Sequence, residues 1–414
     1  MFHLDDMWRG YVTCLQPNPA GEAAGVQPVF IEGGSCLIGD TLEDTSILVA
    51  DGEIAALGGS RPAGALLLDA KNKLVLPGMV DIHGDAFERQ MMPRPNVGIP
   101  PDIALTDTDA QLVAGGITTA FHGLTLSWEP GLRSVEGGAR FVAALNSIKK
   151  KLCCDHHLQI RWETFAFEAV DTVKDWLASD MAPALAFNDH TSSTVRKLAT
   201  NKPNKLGEWA ARAGLSEQGY IEMVHEVWDR QENVPEQIET LSRFAQSHGR
   251  AMLSHDDDSL ELRQRFRDVG ARVAEFPMSI DVARDARSHD EHIVLGAPNV
   301  VRGGSHNGAL NAAECIDEGL CTVLASDYYY PAMLAAVFKL VADGRQTLDE
   351  AWPLVSENPA QAMNLDDRGR LSEGARADVI IVDAADDRQP RVAATITGGT
   401  IACVSDQDVF GKRP

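Results

Sequence analysis

The sequence is short of positive charge. Lys and Arg number 37 against 60 Asp and Glu, a net charge of −23 over 414 residues. A field of that sign repels nucleic acid and anionic membrane. An anionic substrate must therefore be met by a few local cations or by a metal. Long apolar runs are also missing: none approaches the ~20 residues that span a bilayer. The N-terminus, MFHLDDMWRG, lacks a basic-then-apolar leader, so the reading is a cytoplasmic chain. No C-x-x-C pair occurs among the seven cysteines, two of which, Cys153 and Cys154, are adjacent. That excludes a zinc ribbon and a disulfide framework, and implies reduced, mostly buried thiols. No G-x-G-x-x-G follows the first apolar strand of the central region, which argues against a doubly wound dinucleotide fold.

What is present has ordinary globular proportions, with 44% hydrophobic and 23% charged residues. Residues 1–26 carry a Pro-Asn-Pro-Ala-Gly run and are expected to be a poorly ordered lead-in. From 27 to 76 the text turns to short β-branched runs. In "TSILVADGEIAALGG", two alternating strands flank Asp51-Gly52, a strong hairpin signal. The C-terminal stretch 366–408 has the same grammar, with Gly398-Gly399 at a bend. A small β-sandwich domain built from both chain ends follows. Between them, residues 77–365 alternate near-continuous apolar strands with helical stretches, the pattern of a parallel sheet covered by helices. The strands read as "LVLPGMVDIHGD", "GITTAFHG", "HLQIRWE", "ALAFNDH", "AMLSHDD", "RVAEFP", "HIVLGAP" and "CTVLASD". Eight such units over this length predict an α/β fold of the (β/α)8, TIM-like class. Residues 191–232 form a helical insertion, longer than an ordinary barrel loop and placed to act as a lid.

The strand ends carry the chemistry. Five proposed strands finish on His83-Gly-Asp85, Glu163, His190, His255 or Asp327. The C-terminal ends of barrel strands ring one mouth, so residues distant in sequence converge there. His83 and Asp85, two apart on a strand, point the same way. Three His and three carboxylates suit up to two divalent metals, zinc first, with manganese or iron as alternatives. Two such ions could polarise a scissile bond and lower the pKa of a water. Cations for a phosphorylated substrate are sought at Arg94, Arg161 (two before Glu163), Arg302 and His306. Gly303-Gly304 could offer backbone N–H groups to phosphate oxygens. Tyr328, Tyr329 and Tyr330 could stack a sugar or wall the barrel.

A resemblance sharpens this reading. "LPGMVDIHGD" and "SENPAQAMNL…GRLSEGARADVIIVD" resemble the first barrel strand and closing segment of the amidohydrolase superfamily. Within it, "HGDAFERQMMPRP", "SHDD", "AEFP", "GAPNVVRGGSH" and "SDYYYP" resemble the PhnM family of phosphonate catabolism, over about residues 30 to 405. That resemblance implies a metal-dependent diphosphatase acting on α-D-ribose 1-methylphosphonate 5-triphosphate. It makes His83 and Asp85 first-strand ligands and Glu163 the bridging ligand. His190 and His255 become ligands of the second metal. Asp327 becomes a ligand and the catalytic base. The strand count puts His190 and His255 one strand earlier than the superfamily pattern, so either one strand is a loop or Glu275 contributes. The alternative activity is hydrolysis of a C–N bond, in a cyclic amide or by deamination, on an anionic small molecule. The implied partner is a small phosphorylated substrate, with no nucleic acid and no membrane; self-association is left open.

Overall fold

The computed structural model describes residues 27–94, 97–200, 206–304, 310–386 and 388–411. The expected lead-in and His306 lie outside these residues, as do residues 201–205 of the insertion.

Eight parallel strands form one sheet: β1 (Met79–Gly84), β2 (Ile117–Leu126), β3 (Asp155–Glu163), β4 (Ala184–Asn188), β5 (Met252–His255), β6 (Val273–Glu275), β7 (His292–Gly296) and β8 (Val323–Ala325). They neighbour one another in chain order. Each is one of the eight strands read from the sequence, so none of them is a loop. The sheet closes on itself where β8 returns to β1. Asp327 N–H donates to the His83 carbonyl and Asp85 N–H to the Asp327 carbonyl, both at 2.9 Å. The strands are apolar almost throughout because both faces are covered. Inside, Val80, Ile82, Phe121, Ala186, Leu253, Val273, Val294 and Val323 pack together with Ala360 and Met363. The small alanines leave room for the larger branched side chains, so the barrel is filled. Outside, helices cover the wall, and Trp352 Nε1 ties one of them to the Pro77 carbonyl at 3.1 Å.

Strands from both ends of the chain share a six-stranded sheet, in which Val379–Asp383 pairs antiparallel with Leu74–Pro77. A four-stranded sheet packs on it through Val29, Ile31, Ile47, Ile54, Leu68, Val379 and Ile396. Both expected turns form. Asp51 and Gly52 have φ of 52° and 85°, and Gly398 and Gly399 have 51° and 79°. Two successive positive φ values match the right-handed twist of a hairpin. The two turns also touch: a Cβ on Gly399 would lie 2.8 Å from Gly52 Cα, so glycine is needed there for space as well as for φ.

Between β4 and β5 the chain adds helices His190–Ala199, Leu206–Ala213 and Glu217–Trp228. They share a small core of Ala210, Ala213, Tyr220 and Val224. Among the described residues, no helix is long and apolar enough to cross a membrane.

Candidate active site

The site is built at the C-terminal ends of the strands, and the seam between β8 and β1 sets its floor. Asp81, fully buried, accepts from Ser326 N–H at 3.0 Å and from the Ser326 hydroxyl at 2.5 Å. That pair fixes the end of β8 against β1. Gly84 is obligatory here, because a Cβ would lie 2.7 Å from Asp81 Oδ2 and 3.0 Å from Ser326 Oγ.

Across the mouth, His83 Nδ1 lies 3.0 Å from Glu275 Oε1. Gln159 Nε2 donates to the same oxygen. Glu275 is fully buried, and its Oε2 has no hydrogen-bond partner. Burial opposes a charge on either group. The Glu275 carboxylate nevertheless raises the His83 pKa, and the His83 charge lowers that of Glu275. A second pair forms beside it: His190 Nδ1 stands 2.5 Å from Glu163 Oε1, and the His190 N–H donates to Glu163 Oε2 at 3.1 Å. The Glu163 charge lifts His190 to about 9, against the opposing effect of burial. His255 lies between the two pairs, its ring 5.4 Å from that of His83 and 5.7 Å from that of His190. Burial lowers its pKa despite the nearby Asp256 carboxylate, 3.3 Å from Nδ1.

Arg161 occupies the middle of this ring, 5% exposed. Its guanidinium donates to His255 Nε2 at 3.2 Å and to Asp85 Oδ2 at 3.5 Å. The Asn188 side-chain carbonyl accepts from Arg161 Nε and Nη2 at 3.2 Å each. Gly123 leaves space for it, since a Cβ would meet Arg161 Cδ at 3.2 Å. Asp327 closes the ring with left-handed backbone at φ 55°. Burial raises its carboxyl pKa, and Asp85 and Asp81 add to this against His83 and Arg161.

Two sets of three donors are compact enough for one metal ion each. His83, His255 and Glu275 form one and His190, His255 and Asp256 the other, with donor atoms within 4.8 Å of one another. The residues fit such an ion. The sets mix imidazole and carboxylate, as divalent transition metals prefer, and Glu275 Oε2 is a buried oxygen without a partner.

All six residues expected as ligands meet at this mouth. Asp85, Glu163 and Asp327 stand around the two compact sets, while His83, His190 and His255 belong to them. Glu275 and Asp256 complete the sets. Glu275, one of the two alternatives the strand count raises, stands at this mouth 3.0 Å from His83 Nδ1. It carries the same signal as its neighbours, a carboxylate at a strand end. Asp256 gave no period-based signal, because its φ of 59° takes it off the strand. Arg94 and Arg302 are exposed and make no ion pair among the described residues. Tyr330 is buried in the wall, whereas Tyr328 and Tyr329 are exposed at 37% and 51%.

Residues 222–403 match a model described as the amidohydrolase family. The chain is 30% identical over 351 residues to the alpha-D-ribose 1-methylphosphonate 5-triphosphate diphosphatase of Escherichia coli (strain K12), covering 82% of this chain and 91% of that one. The chain belongs to the amidohydrolase superfamily, in its PhnM family. It is a hydrolase. Solved amidohydrolase-type structures share the fold at low identity. One is an amidohydrolase from an environmental sample of the Sargasso Sea, with TM-score 0.63, 15% identity, and 93% and 95% of the two chains covered. Another is a beta-aspartyl dipeptidase from Fervidobacterium islandicum AW-1, with TM-score 0.60, 14% identity, and 92% and 98% covered. In this PhnM-like chain the third strand ends on Glu163, the fifth on His255 and the sixth on Glu275, with His190 just beyond the fourth.

Proposed function

We propose that this hydrolase cleaves a phosphoanhydride, releasing pyrophosphate from α-D-ribose 1-methylphosphonate 5-triphosphate and leaving the 5-phosphate. The observation that carries the choice is the relationship to the Escherichia coli diphosphatase over four-fifths of the chain. A buried guanidinium in the middle of the ligand ring is consistent with it, being placed for charge on phosphoryl oxygens.

One divalent ion would be held by His83, Glu275 and His255 or by His190, His255 and Asp256, two sets that share His255, and a second would draw on Asp85 and Glu163, with Asp327 at hand as a further oxygen ligand. Zinc is the first choice, and manganese or iron suit the same donors. When bound, the metal supplies Lewis acidity toward a phosphoryl oxygen and toward water. The side chains supply the rest. Asp327 takes the proton of the attacking water, and burial suits it to the task by bringing its pKa up toward the working pH. Water oxygen bonds to the α-phosphorus, and the bond from that phosphorus to the bridging oxygen of the β-phosphoryl group breaks. Pyrophosphate leaves with the electron pair. Arg161, itself 5% exposed, stabilises charge developing on the α-phosphoryl oxygens. Arg94, Arg302 and His306 are assigned to the outer phosphates.

A panel of ribose 5-triphosphates, nucleoside triphosphates and cyclic amides separates the readings. The expected result is pyrophosphate from the ribose triphosphates, with the cyclic amides untouched. Ring opening of an amide without pyrophosphate release would favour C–N hydrolysis instead.

A further inference from the structure

We propose that a cavity of about 250 Å³ beside Glu163 and His190 receives the sugar portion of the substrate, a pentose ring bearing an anionic edge. The inference rests on the phosphoanhydride reading above and adds the place where the ring is recognised. The volume lies just below the ~300–1,000 Å³ of pockets that take a whole ligand. It holds one moiety of a substrate whose reacting end lies at the mouth.

The lining is unusually rich in hydroxyls. Thr125, at the end of β2, contributes an Oγ1 that is buried and has no hydrogen-bond partner. An unsatisfied buried hydroxyl destabilises the empty cavity, and a polar ligand there would relieve it. Thr191 and Thr194 come from the first turns of helix His190–Ala199, and Tyr220 from the insertion. Trp209, also from the insertion, gives an aromatic face, with Lys197 Nζ 5.8 Å from its ring centroid. An aromatic face with surrounding hydroxyls suits a carbohydrate ring, which presents C–H groups on its faces and hydroxyls at its rim.

Charge decides between a ring and a bare anion. Arg133 reaches this cavity, but it is already bound to both Glu88 oxygens, at 3.0 and 2.8 Å. The Glu129 carboxylate also lines it, accepting from the Tyr220 hydroxyl at 2.7 Å. A free phosphate dianion would face that carboxylate. A sugar hydroxyl can donate to it. The insertion therefore acts in specificity, through Trp209 and Tyr220.

The test is calorimetric titration of the full-length protein with ribose 5-phosphate and, separately, inorganic phosphate. It is repeated on Thr125→Val and Trp209→Leu, with melting temperatures on the same preparations. The expected result is that ribose 5-phosphate binds at least tenfold tighter than phosphate. Thr125→Val should weaken it up to about tenfold, the loss of one hydrogen bond, and Trp209→Leu should also weaken it. The melting temperature of Thr125→Val should not fall, because the hydroxyl has no protein partner to lose. Equal affinity for phosphate, no binding of ribose 5-phosphate, or unchanged affinity in both variants would overturn the inference. Pyrophosphate release from a ribose triphosphate by the parent protein is read in parallel. Release alongside unchanged variant affinities would sink the pocket and leave the reaction standing. Thr125-dependent binding without release would do the reverse.

Discussion

Asp327 sits where two requirements meet, with its backbone at φ 55° closing the barrel and its half-buried carboxyl beside the ligand ring. Asn tolerates left-handed backbone as well as Asp does, so Asp327→Asn removes the basic oxygen while keeping size and conformation. Turnover is expected to fall by about 10²–10⁴, the usual contribution of a general base. Bound metal should be little changed, because neither compact donor set includes Asp327. Pyrophosphate release, elemental analysis and melting temperature on one preparation check this. Activity within threefold of the parent, with metal retained, would move the base elsewhere. Single residues were legible in the sequence where they stood at or just past a strand end: His83, Glu163, His255 and Asp327 all announce themselves by position. Asp81 was not, since an acid inside an apolar strand carries no functional signal until its partner Ser326 arrives from the far end of the chain. Gln159 was silent for the same reason, its partner Glu275 lying 116 residues away.

At the scale of elements, β3 shows how one strand serves both ends of the barrel. Its last residues, Arg161 and Glu163, belong to the site. Its first, Asp155, accepts from Arg368 Nη1 at 2.7 Å, and Arg368 also donates to Thr119 Oγ1 at 2.8 Å. This ties the segment before the C-terminal strands to the base of β2 and β3. Burial pushes the Asp155 carboxyl up, but His157 and Arg368 outweigh it and hold it well below the usual carboxylate range. A depressed carboxyl stabilises the fold above its unfolded pKa of ~3.9 and loses that contribution as pH falls further. Arg368→Ala should cost about 1.5–3 kcal/mol at neutral pH, as for hydrogen bonds to a charged group, lowering the melting temperature by several degrees with turnover unchanged. The gap between variant and parent should narrow at pH 3. A gap that is the same at pH 7 and pH 3 would mean that the Asp155 charge contributes nothing. Elements were the most legible level of the sequence. Near-continuous apolar runs ending in turns gave all eight barrel strands, and Asp51-Gly52 and Gly398-Gly399 gave both hairpins. Pairing between Leu74–Pro77 and Val379–Asp383 was legible only as a shared grammar, because strand register depends on partners that neither segment specifies alone.

For the whole molecule, the acidic sequence and the cationic centre are two sides of one arrangement. A chain of net charge −23 repels a polyanion in general, so the proposed binding of a triphosphate would depend on the buried Arg161 and a metal. Arg161 is the clearest case, held by Asn188, Asp85 and His255 at the point toward which strands from around the barrel converge. The fold alone does not choose the reaction, since the same barrel carries amide and peptide hydrolases. The position of water attack tests the central claim most directly. Hydrolysis of α-D-ribose 1-methylphosphonate 5-triphosphate in ¹⁸O-water should place the label in the sugar 5-phosphate and leave pyrophosphate unlabelled, and removal of divalent metal should abolish the reaction. Label in pyrophosphate, release of single phosphate, or full activity in metal-free protein would contradict the account.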